Sequence, residues 1–200
     1  MTLSRRAQDY LAILHREEPV PVAAVAQLLA AENVPAHPAW LSFHEQFAGY
    51  VEDIGSGDFA VWGLAFGSAR KSGGDALTVF VNRFKGTLVS ISCADVHPSW
   101  DYNLTPEGKF IGPPFPSGNF TVKVERNALM WEFVKAGPVQ RLYEINGVSL
   151  NAHRKQLLEE LAAYRIPEAS DRIANYYASP TKLLLESLEN ATLKLLVRKA

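Results

Sequence analysis

The sequence predicts an α+β protein with N-terminal helices, a central antiparallel sheet, and C-terminal helices packed on that sheet. Apolar residues recur at helical spacing in residues 1–50, alternate with polar ones over much of 51–147, and return to helical spacing in 148–200. The chain has 200 residues, of which 48% are hydrophobic, so it is expected to form a single domain around one core.

Two amphipathic helices are predicted before Val34. Residues 3–16 carry apolar side chains at helical spacing with charged ones between them, and Glu17 to Val20 ends this pattern. Pro21 suits the first position of a second helix that ends near Ala31, because a proline there loses no hydrogen bond. Each helix is expected to bury one face.

A short aromatic helix is predicted to begin at Pro38. Its large aromatic residues share one face at helical spacing: Trp40, Phe43 and Phe47. Gly49 stands where a residue with left-handed φ commonly ends a helix, so Tyr50 is expected to fold back onto it. We expect the aromatic face to pack against the sheet that follows.

Strand patterns begin after Tyr50. Phe59 to Phe66 is apolar except at Gly63, which predicts a buried central strand. The next strand alternates between two sets of residues: Leu77, Val79 and Val81 against Thr78, Phe80 and Asn82. After a Lys85-Gly86 turn, the apolar residues of the return strand alternate with serines: Val89, Ile91 and Cys93. These two strands predict a hairpin, and Arg70 to Asp75 is predicted to be a loop.

A second hairpin is predicted around the type I turn Thr105-Pro106-Glu107-Gly108, joining residues 100–104 with 109–111. The prolines of Gly112 to Gly118 predict an exposed connection. Alternating residues from Phe120 to Glu125 predict one more strand, whereas residues 128–135 fit helix and strand equally well. Asn146-Gly147 marks a turn.

Helices are predicted to return in the last quarter of the chain. Asn151 to Tyr164 has an inner apolar face and an outer charged one, and Ser179-Pro180 suits the start of a final helix. The apolar stripe of that helix recurs at helical spacing: Leu184, Leu188, Ala191 and Leu195. Within it, residues 190–200, and Thr192 to Val197 above all, fit helix and strand alike.

Composition and charge exclude several classes of protein. The chain has 20 basic and 21 acidic residues and a formal net charge of -1, so it lacks the positive charge that nucleic-acid binding requires. No apolar stretch reaches the length of a signal-peptide core or a membrane span, and the single cysteine, Cys93, cannot form an internal disulfide. The sequence predicts a cytoplasmic protein that binds neither nucleic acid nor membrane.

Candidate catalytic groups are sparse. Cys93, Asp95 and His97 could pair a nucleophile with a base, but Cys93 falls in the apolar phase of its strand and is expected to be a buried structural residue. The adjacent carboxylates Glu52 and Asp53 precede a glycine-rich turn and are more typical of a solvated surface than of an acid-base pair. No catalytic residue and no enzyme activity is predicted.

Metal and phosphate sites are not predicted either. The candidate metal ligands never have the spacing that brings two of them to one ion: His37, His44, His97, His153, Asp95 and Asp101. Instead, His44 is expected to be a packing or boundary residue. In Gly67 to Gly74, Lys71 precedes the glycine pair and a strand follows, so the phosphate cradle of a P-loop is not expected. The sequence therefore predicts no cofactor and no metal.

A band of aromatic residues and prolines is typical of a protein-protein interface. The band runs from His97 to Tyr102 and continues with other aromatic residues: Phe110, Phe115 and Phe120. Large aromatic side chains bind partners with little loss of conformational freedom. Each residue taken singly is more typical of core packing, but we expect the exposed members to contact a partner.

The first half of the chain resembles the SUKH superfamily. The residues that carry the resemblance lie in and after the Val34-Pro35 break: Trp40, Phe43, Phe47, Gly49, Tyr50 and the hairpin from Tyr102 to Ile111. The similarity extends over residues 20–133. Ala48-Gly49 stands where the family usually has two glycines, and the region after Asn151 is an addition to the family pattern.

The resemblance implies a cytoplasmic bacterial immunity protein that binds a cognate toxin and blocks its active surface, with no catalysis and no cofactor. Acidic residues would suit a basic toxin. The candidate partner-binding residues are Glu52, Asp53, Asp58, Trp100, Asp101, Tyr102 and Phe115. Two alternatives stay open: a small hydrolase or transferase with its site at Cys93 to Asp101, and a scaffold or adaptor domain that binds a peptide through the sheet edge.

Overall fold

A computed structural model describes residues 2–55, 57–66, 79–95, 102–112, 118–145, 151–189 and 192–198, without the side chains of residues 95, 141–145 and 151–153. The helices are α1 (Arg5–Ile13), α2 (Val22–Ala31), α3 (Pro38–Phe47), α4 (Phe120–Lys135) and α5 (Asn151–Leu161). The strands are β1 (Val51–Gly55), β2 (Asp58–Trp62), β3 (Val81–Phe84), β4 (Thr87–Ser92), β5 (Ala94–Asp95), β6 (Asn103–Leu104), β7 (Phe110–Ile111), β8 (Val139–Ile145), β9 (Ala174–Ala178), β10 (Lys182–Ser187) and β11 (Leu193–Arg198). The α+β class is confirmed.

The chain divides into two compact units. The middle unit comprises residues Ile13–Phe120, and the terminal unit combines Met1–Ala12 with Thr121–Ala200. The middle unit therefore interrupts the terminal unit in sequence. The expectation of one domain for all 200 residues stays a prediction.

Two antiparallel sheets form the middle unit, with strand orders β1-β2-β5 and β3-β4-β6-β7. The predicted hairpin around Lys85-Gly86 is confirmed as β3 and β4, and the predicted turn at Thr105 to Gly108 joins β6 to β7. In that turn the Gly108 amide donates to the Thr105 carbonyl at 2.8 Å. As predicted, β2 is the central strand of its sheet, but it ends at Trp62 because Gly63 has a φ of 64°.

The aromatic face of α3 is buried in the middle unit, as predicted. Trp40, Phe43 and Phe47 are all buried, and the Trp40 indole Nε1 donates to the Thr105 carbonyl at 2.6 Å. The Phe120 ring lies 4.6 Å from the Phe43 ring and 5.0 Å from the Trp62 ring, both edge-on. Such edge-to-face packing suits the charge distribution of aromatic rings, so α3 is fixed against β2.

Gly49 has the left-handed φ that the sequence predicts, 87°, but its main role is a close backbone approach. Ala48 has already left the helix, and the Gly49 amide donates to the Trp62 carbonyl at 2.8 Å. A Cβ at Gly49 would lie 2.2 Å from the Glu17 carbonyl oxygen. Glycine is therefore required both for its φ and for the space.

The terminal unit contains an antiparallel sheet of order β8-β11-β10-β9. The helix predicted from Ser179 is wrong: residues 182–187 and 193–198 are strands. Five of the six residues of β10 are buried, since β10 lies between two other strands. Three consecutive leucines, followed by the buried Glu186 and Ser187, carry no period-2 signal, and the leucines also fit a helical stripe. In the undecided segment Thr192 to Val197, residues 193–197 belong to strand β11.

The strand predicted from Phe120 to Glu125 is also wrong, because these residues begin α4. Val122 and Val124 are buried, but so are the polar residues that follow each of them, Lys123 and Glu125. The polar residues therefore do not form a solvent face, and the alternation that suggested a strand has no structural meaning here. The undecided residues 128–135 continue α4, and the predicted helix at Asn151 is confirmed as α5.

Three predicted connections lie wholly or largely outside the described residues: the loop Arg70 to Asp75, residues 113–117 of the proline-rich connection, and the Asn146-Gly147 turn.

Candidate functional site

Two of the predicted partner-binding residues are buried, and this corrects the prediction. Glu52 is 7% exposed and Tyr102 is 2% exposed. Of the other five predicted residues, the structure describes two. Asp53 is exposed and Asp58 half-buried, whereas Trp100, Asp101 and Phe115 lie outside the described residues. The predicted set therefore does not form one surface in the described part of the chain.

The Glu52 carboxylate has a structural partner instead of a solvated position. The Trp62 indole Nε1 donates to Glu52 Oε2 at 2.8 Å, joining neighbouring strands β1 and β2. A buried carboxylate needs such a donor, since desolvation would otherwise be costly. Asp53, the next residue along β1, is exposed and accepts the Gly55 amide at 2.8 Å within the turn that follows.

Cys93 is 1% exposed, which confirms the prediction of a buried cysteine. Its amide donates to the Tyr102 carbonyl at 2.7 Å and its carbonyl accepts the Gly63 amide at 2.8 Å. The Asp95 side chain and His97, the other members of the alternative hydrolase or transferase site, lie outside the described part. A thiol buried in this way is not placed to attack a substrate.

His44 is a buried residue that fastens α3 to two neighbouring segments, in agreement with the predicted packing role. Its Nε2 lies 2.6 Å from the Val20 carbonyl oxygen, and the Leu64 amide nitrogen lies 3.5 Å from its Nδ1. A carbonyl can only accept, so Nε2 carries the proton and Nδ1 accepts from Leu64. Burial lowers the pKa of His44, the Val20 carbonyl partly opposes this, and the charge of Arg16 lowers it further. The ring is therefore neutral at pH 7.

In the terminal unit, one charged cluster surrounds Glu186 and a second surrounds Arg126. The Glu186 carboxylate, 6% exposed, accepts hydrogen bonds from Arg154 at 2.9 Å, Asn175 at 3.0 Å and Tyr177 at 3.1 Å. Burial alone would raise the pKa of Glu186, but the three donors and the Arg154 charge outweigh it and lower the pKa below its ordinary value. These groups satisfy one another, so they stabilise α5 against β9 and β10.

The second cluster surrounds the buried Arg126 of α4. Its guanidinium contacts Asp171 at 2.9 Å, donates to the Ala169 carbonyl at 3.0 Å, and lies 5.0 Å from the centre of the Tyr176 ring. Burial raises the pKa of Tyr176 to about 12, although the positive charge of Arg126 opposes that change. The Tyr176 hydroxyl is therefore neutral at physiological pH and is not an activated base.

The hairpin surface, defined as Phe80, Phe84 and Val89 on and beside β3 and β4, is the best candidate for a binding site. These side chains are 70%, 67% and 41% exposed. Large apolar groups concentrated on one hairpin typically mark a protein-protein contact. The sequence analysis missed this surface. The signal was the position of Phe80 in the polar phase of its strand, alongside Thr78 and Asn82.

Positive charge accompanies the hairpin surface. Arg83 Nη2 donates to the carbonyls of Glu32 and Asn33 at 3.2 and 3.4 Å, where α2 ends. The Lys85 ammonium lies 5.5 Å from the centre of the Phe84 ring. Because Arg83 bonds to neutral carbonyls and Lys85 approaches a neutral ring, both positive charges remain on the hairpin.

Within the described residues, no three His, Cys, Asp or Glu side chains are grouped so that they could hold a metal ion. Among the same residues, no helix has the length and apolar character needed to cross a membrane. The chain matches no family model, and no curated protein or solved structure is significantly similar to it.

Proposed function

We propose that this chain is an immunity protein of the cytoplasm, which binds a cognate bacterial toxin and neutralises it without catalysis of its own. The observation that carries the proposal is the hairpin surface, where Phe80 and Phe84, four residues apart, are 70% and 67% exposed. Aromatic side chains in such positions supply the anchors of protein-protein interfaces, because their burial on binding contributes most of the affinity.

The buried polar groups support a role in binding more than a role in chemistry. Glu52, His44 and Glu186 each bond to neighbours that hold strands or helices in place. Cys93, the nucleophile of the alternative hydrolase or transferase, is buried. The resemblance of residues 20–133 to the SUKH superfamily supports a toxin as the partner.

The proposal is tested with the protein encoded by the reading frame next to that of this chain, produced as the candidate toxin. We expect the two purified proteins to form a stoichiometric complex in size-exclusion chromatography, and co-expression to restore growth of cells that produce the toxin. A matched control is the same chain with Glu52→Gln, which alters a buried carboxylate and leaves the exposed residues unchanged. This variant should form the same complex and give the same protection. Absence of both a complex and protection would contradict the proposal.

A further inference from the structure

We propose that the edge of β3 to which no described strand pairs binds an extended segment of the partner protein, and that this segment carries apolar and acidic side chains in alternation. This inference rests on the proposed function and specifies the chemistry of its partner. The occupant would add a strand to the sheet of order β3-β4-β6-β7, with β3 as the strand to which it pairs.

The backbone of β3 is arranged to accept a strand. Among the described strands, β3 pairs with β4 alone and is the terminal strand of its sheet. The Ser92 amide donates to the Phe80 carbonyl at 2.9 Å, so Phe80 directs its hydrogen-bonding groups toward β4. The register shifts between Asn82 and Arg83, where Val89 is an extra residue of β4, so β3 itself keeps its regular course. In an antiparallel ladder the direction alternates, and Val81 and Arg83 therefore direct their N–H and C=O groups away from β4.

The side chains of β3 define what the added strand must carry on each face. Phe80, Asn82 and Phe84 share one face because residues two apart lie on the same side of a strand. Asn82 Nδ2 donates to Asn103 Oδ1 at 2.8 Å and to Ser90 Oγ at 3.2 Å, which fixes the strand between the two rings. An incoming strand would cover the rings with apolar side chains on this face.

Charge selects an acidic partner. From Val79 to Cys93 the only charged residues are Arg83 and Lys85, and the same stretch has no aspartate or glutamate. Arg83 lies on the face opposite the two phenylalanines, so carboxylates that alternate with the apolar residues of the incoming strand would approach it. Opposite charges on paired strands stabilise the pairing.

The same charges oppose a second copy of this chain as the occupant. Pairing two β3 strands would bring together two copies of Arg83 and two of Lys85 with no carboxylate from either hairpin. Like charges at a strand edge are a common means of preventing self-association. The edge therefore discriminates between an acidic segment and its own copy.

The test uses two short synthetic peptides, one alternating valine with glutamate and the other valine with lysine. We expect the glutamate peptide to bind more tightly by about tenfold, to bind more weakly as salt is added, and to protect the amides of Val81 and Arg83 from hydrogen exchange. The double variant Phe80→Asp, Phe84→Asp should lose this binding. Phe59→Asp, which alters another exposed phenylalanine, 55% exposed and located on β2, should retain it.

Three results would overturn the proposal: equal affinity for the two peptides, no protection at Val81 and Arg83, or dimerisation of the free protein through β3. A cognate toxin that binds the double variant as tightly as the unaltered chain would overturn the proposed edge and leave the immunity function standing. Binding of the glutamate peptide at β3 without binding of any toxin would support the proposed edge and contradict the immunity function.

Discussion

His44 shows how one buried residue makes the middle unit sensitive to pH. The imidazole donates to Val20 and accepts from Leu64, and the same two segments are joined by the Val20 amide donating to the Leu64 carbonyl at 3.0 Å. A proton on Nδ1 would face the Leu64 N–H, so two donors would oppose each other. The charged form of His44 is therefore disfavoured in the folded state.

We predict that acid destabilises the middle unit through His44. The pKa of this residue in the folded state is lowered from 6.5 by burial, so below pH 6.5 the unfolded state binds more protons than the folded state. The free energy of unfolding should therefore fall as the pH drops below 6.5, by at most about 1.4 kcal/mol per pH unit, until the folded pKa is passed.

Urea unfolding at a series of pH values measures this effect. His44→Gln retains a donor for Val20 and does not titrate, so its free energy of unfolding should vary less between pH 7.5 and pH 5. The exposed His15→Gln is the matched control and should keep the pH dependence of the unaltered chain. An identical slope in His44→Gln and the unaltered chain would show that other groups cause the acid sensitivity.

The sequence could predict the type of environment for some residues but not for others. Cys93 and His44 were placed correctly because their apolar neighbours recur at the spacing of a strand or helix. Glu52 was expected to be solvated, and only the three-dimensional pairing of β1 with β2 brings the Trp62 indole to its carboxylate. Glu52 and Trp62 lie on different strands, so the spacing of residues within one strand does not predict their contact.

At the scale of elements, the sequence predicted best where one face is buried and the other solvated. The helix α3 has this asymmetry and was predicted. The β3-β4 hairpin was predicted from its turn and its alternation, although β3 is largely exposed and Val89 of β4 is exposed where Ser90 is buried. The errors fall on α4 and β10, which are buried on more than one side. A strand that is buried on both faces, such as β10, has no alternation of polar and apolar residues. A helix with buried ion pairs, such as α4, has charged residues on its inner side. In both cases the spacing of apolar residues no longer identifies the element.

The end of α3 provides a prediction about the cost of a side chain at a glycine. Gly49→Ala should lower the free energy of unfolding by about 3 kcal/mol, since it combines a left-handed φ with a clash against the Glu17 carbonyl. Gly86→Ala is the matched control: its φ is 79°, but nothing lies within 4 Å of an added Cβ. It should cost about 1 kcal/mol.

The denaturant midpoints of the two glycine variants separate the cost of the left-handed φ from the cost of the clash with the Glu17 carbonyl. Equal losses would mean that the left-handed φ alone explains both, and that the Glu17 backbone moves aside at little cost. A larger loss in Gly49→Ala would show that the contact between the end of α3 and residues 16–17 is rigid.

For the whole molecule, overall charge and local charge have different consequences. The net charge of -1 excludes a general attraction to polyanions, yet the β3-β4 hairpin carries Arg83 and Lys85 without a nearby acid in sequence. Selectivity for an acidic segment therefore depends on where charge lies in the fold. The acidic residues chosen from the sequence were expected to suit a basic toxin, and one of them, Glu52, is buried.

The terminal unit joins segments from opposite ends of the chain, and one buried carboxylate connects them. Glu125 of α4 is 2% exposed and accepts from the Ser4 amide at 2.7 Å and the Ser4 hydroxyl at 2.6 Å, across 121 positions of sequence. Arg6 Nη2 lies 3.6 Å from the same carboxylate. The spacing of residues within one helix does not predict a contact between residues 121 positions apart. The contribution of this contact to the free energy of unfolding must therefore be measured.

We predict that Glu125→Gln lowers the free energy of unfolding of the terminal unit by about 2 kcal/mol, because an amide removes the charge and replaces one acceptor with a donor facing Ser4. Glu132→Gln is the matched control. It lies on the same helix, its carboxylate is 3.9 Å from Arg6, and its side chain is 59% exposed. An exposed pair of this kind contributes at most about 0.5 kcal/mol.

Hydrogen exchange distinguishes a local defect from a loss of the long-range connection. In Glu125→Gln the amides of α1 should lose protection together with those of α4, although the substitution lies in α4 alone. In Glu132→Gln both helices should keep their protection. Equal stability of the two variants, with α1 protected in both, would mean that the carboxylate is not needed to hold α1 against α4. Apolar packing such as that of Tyr10 near Trp131, whose ring centres are 6.0 Å apart, would then be sufficient.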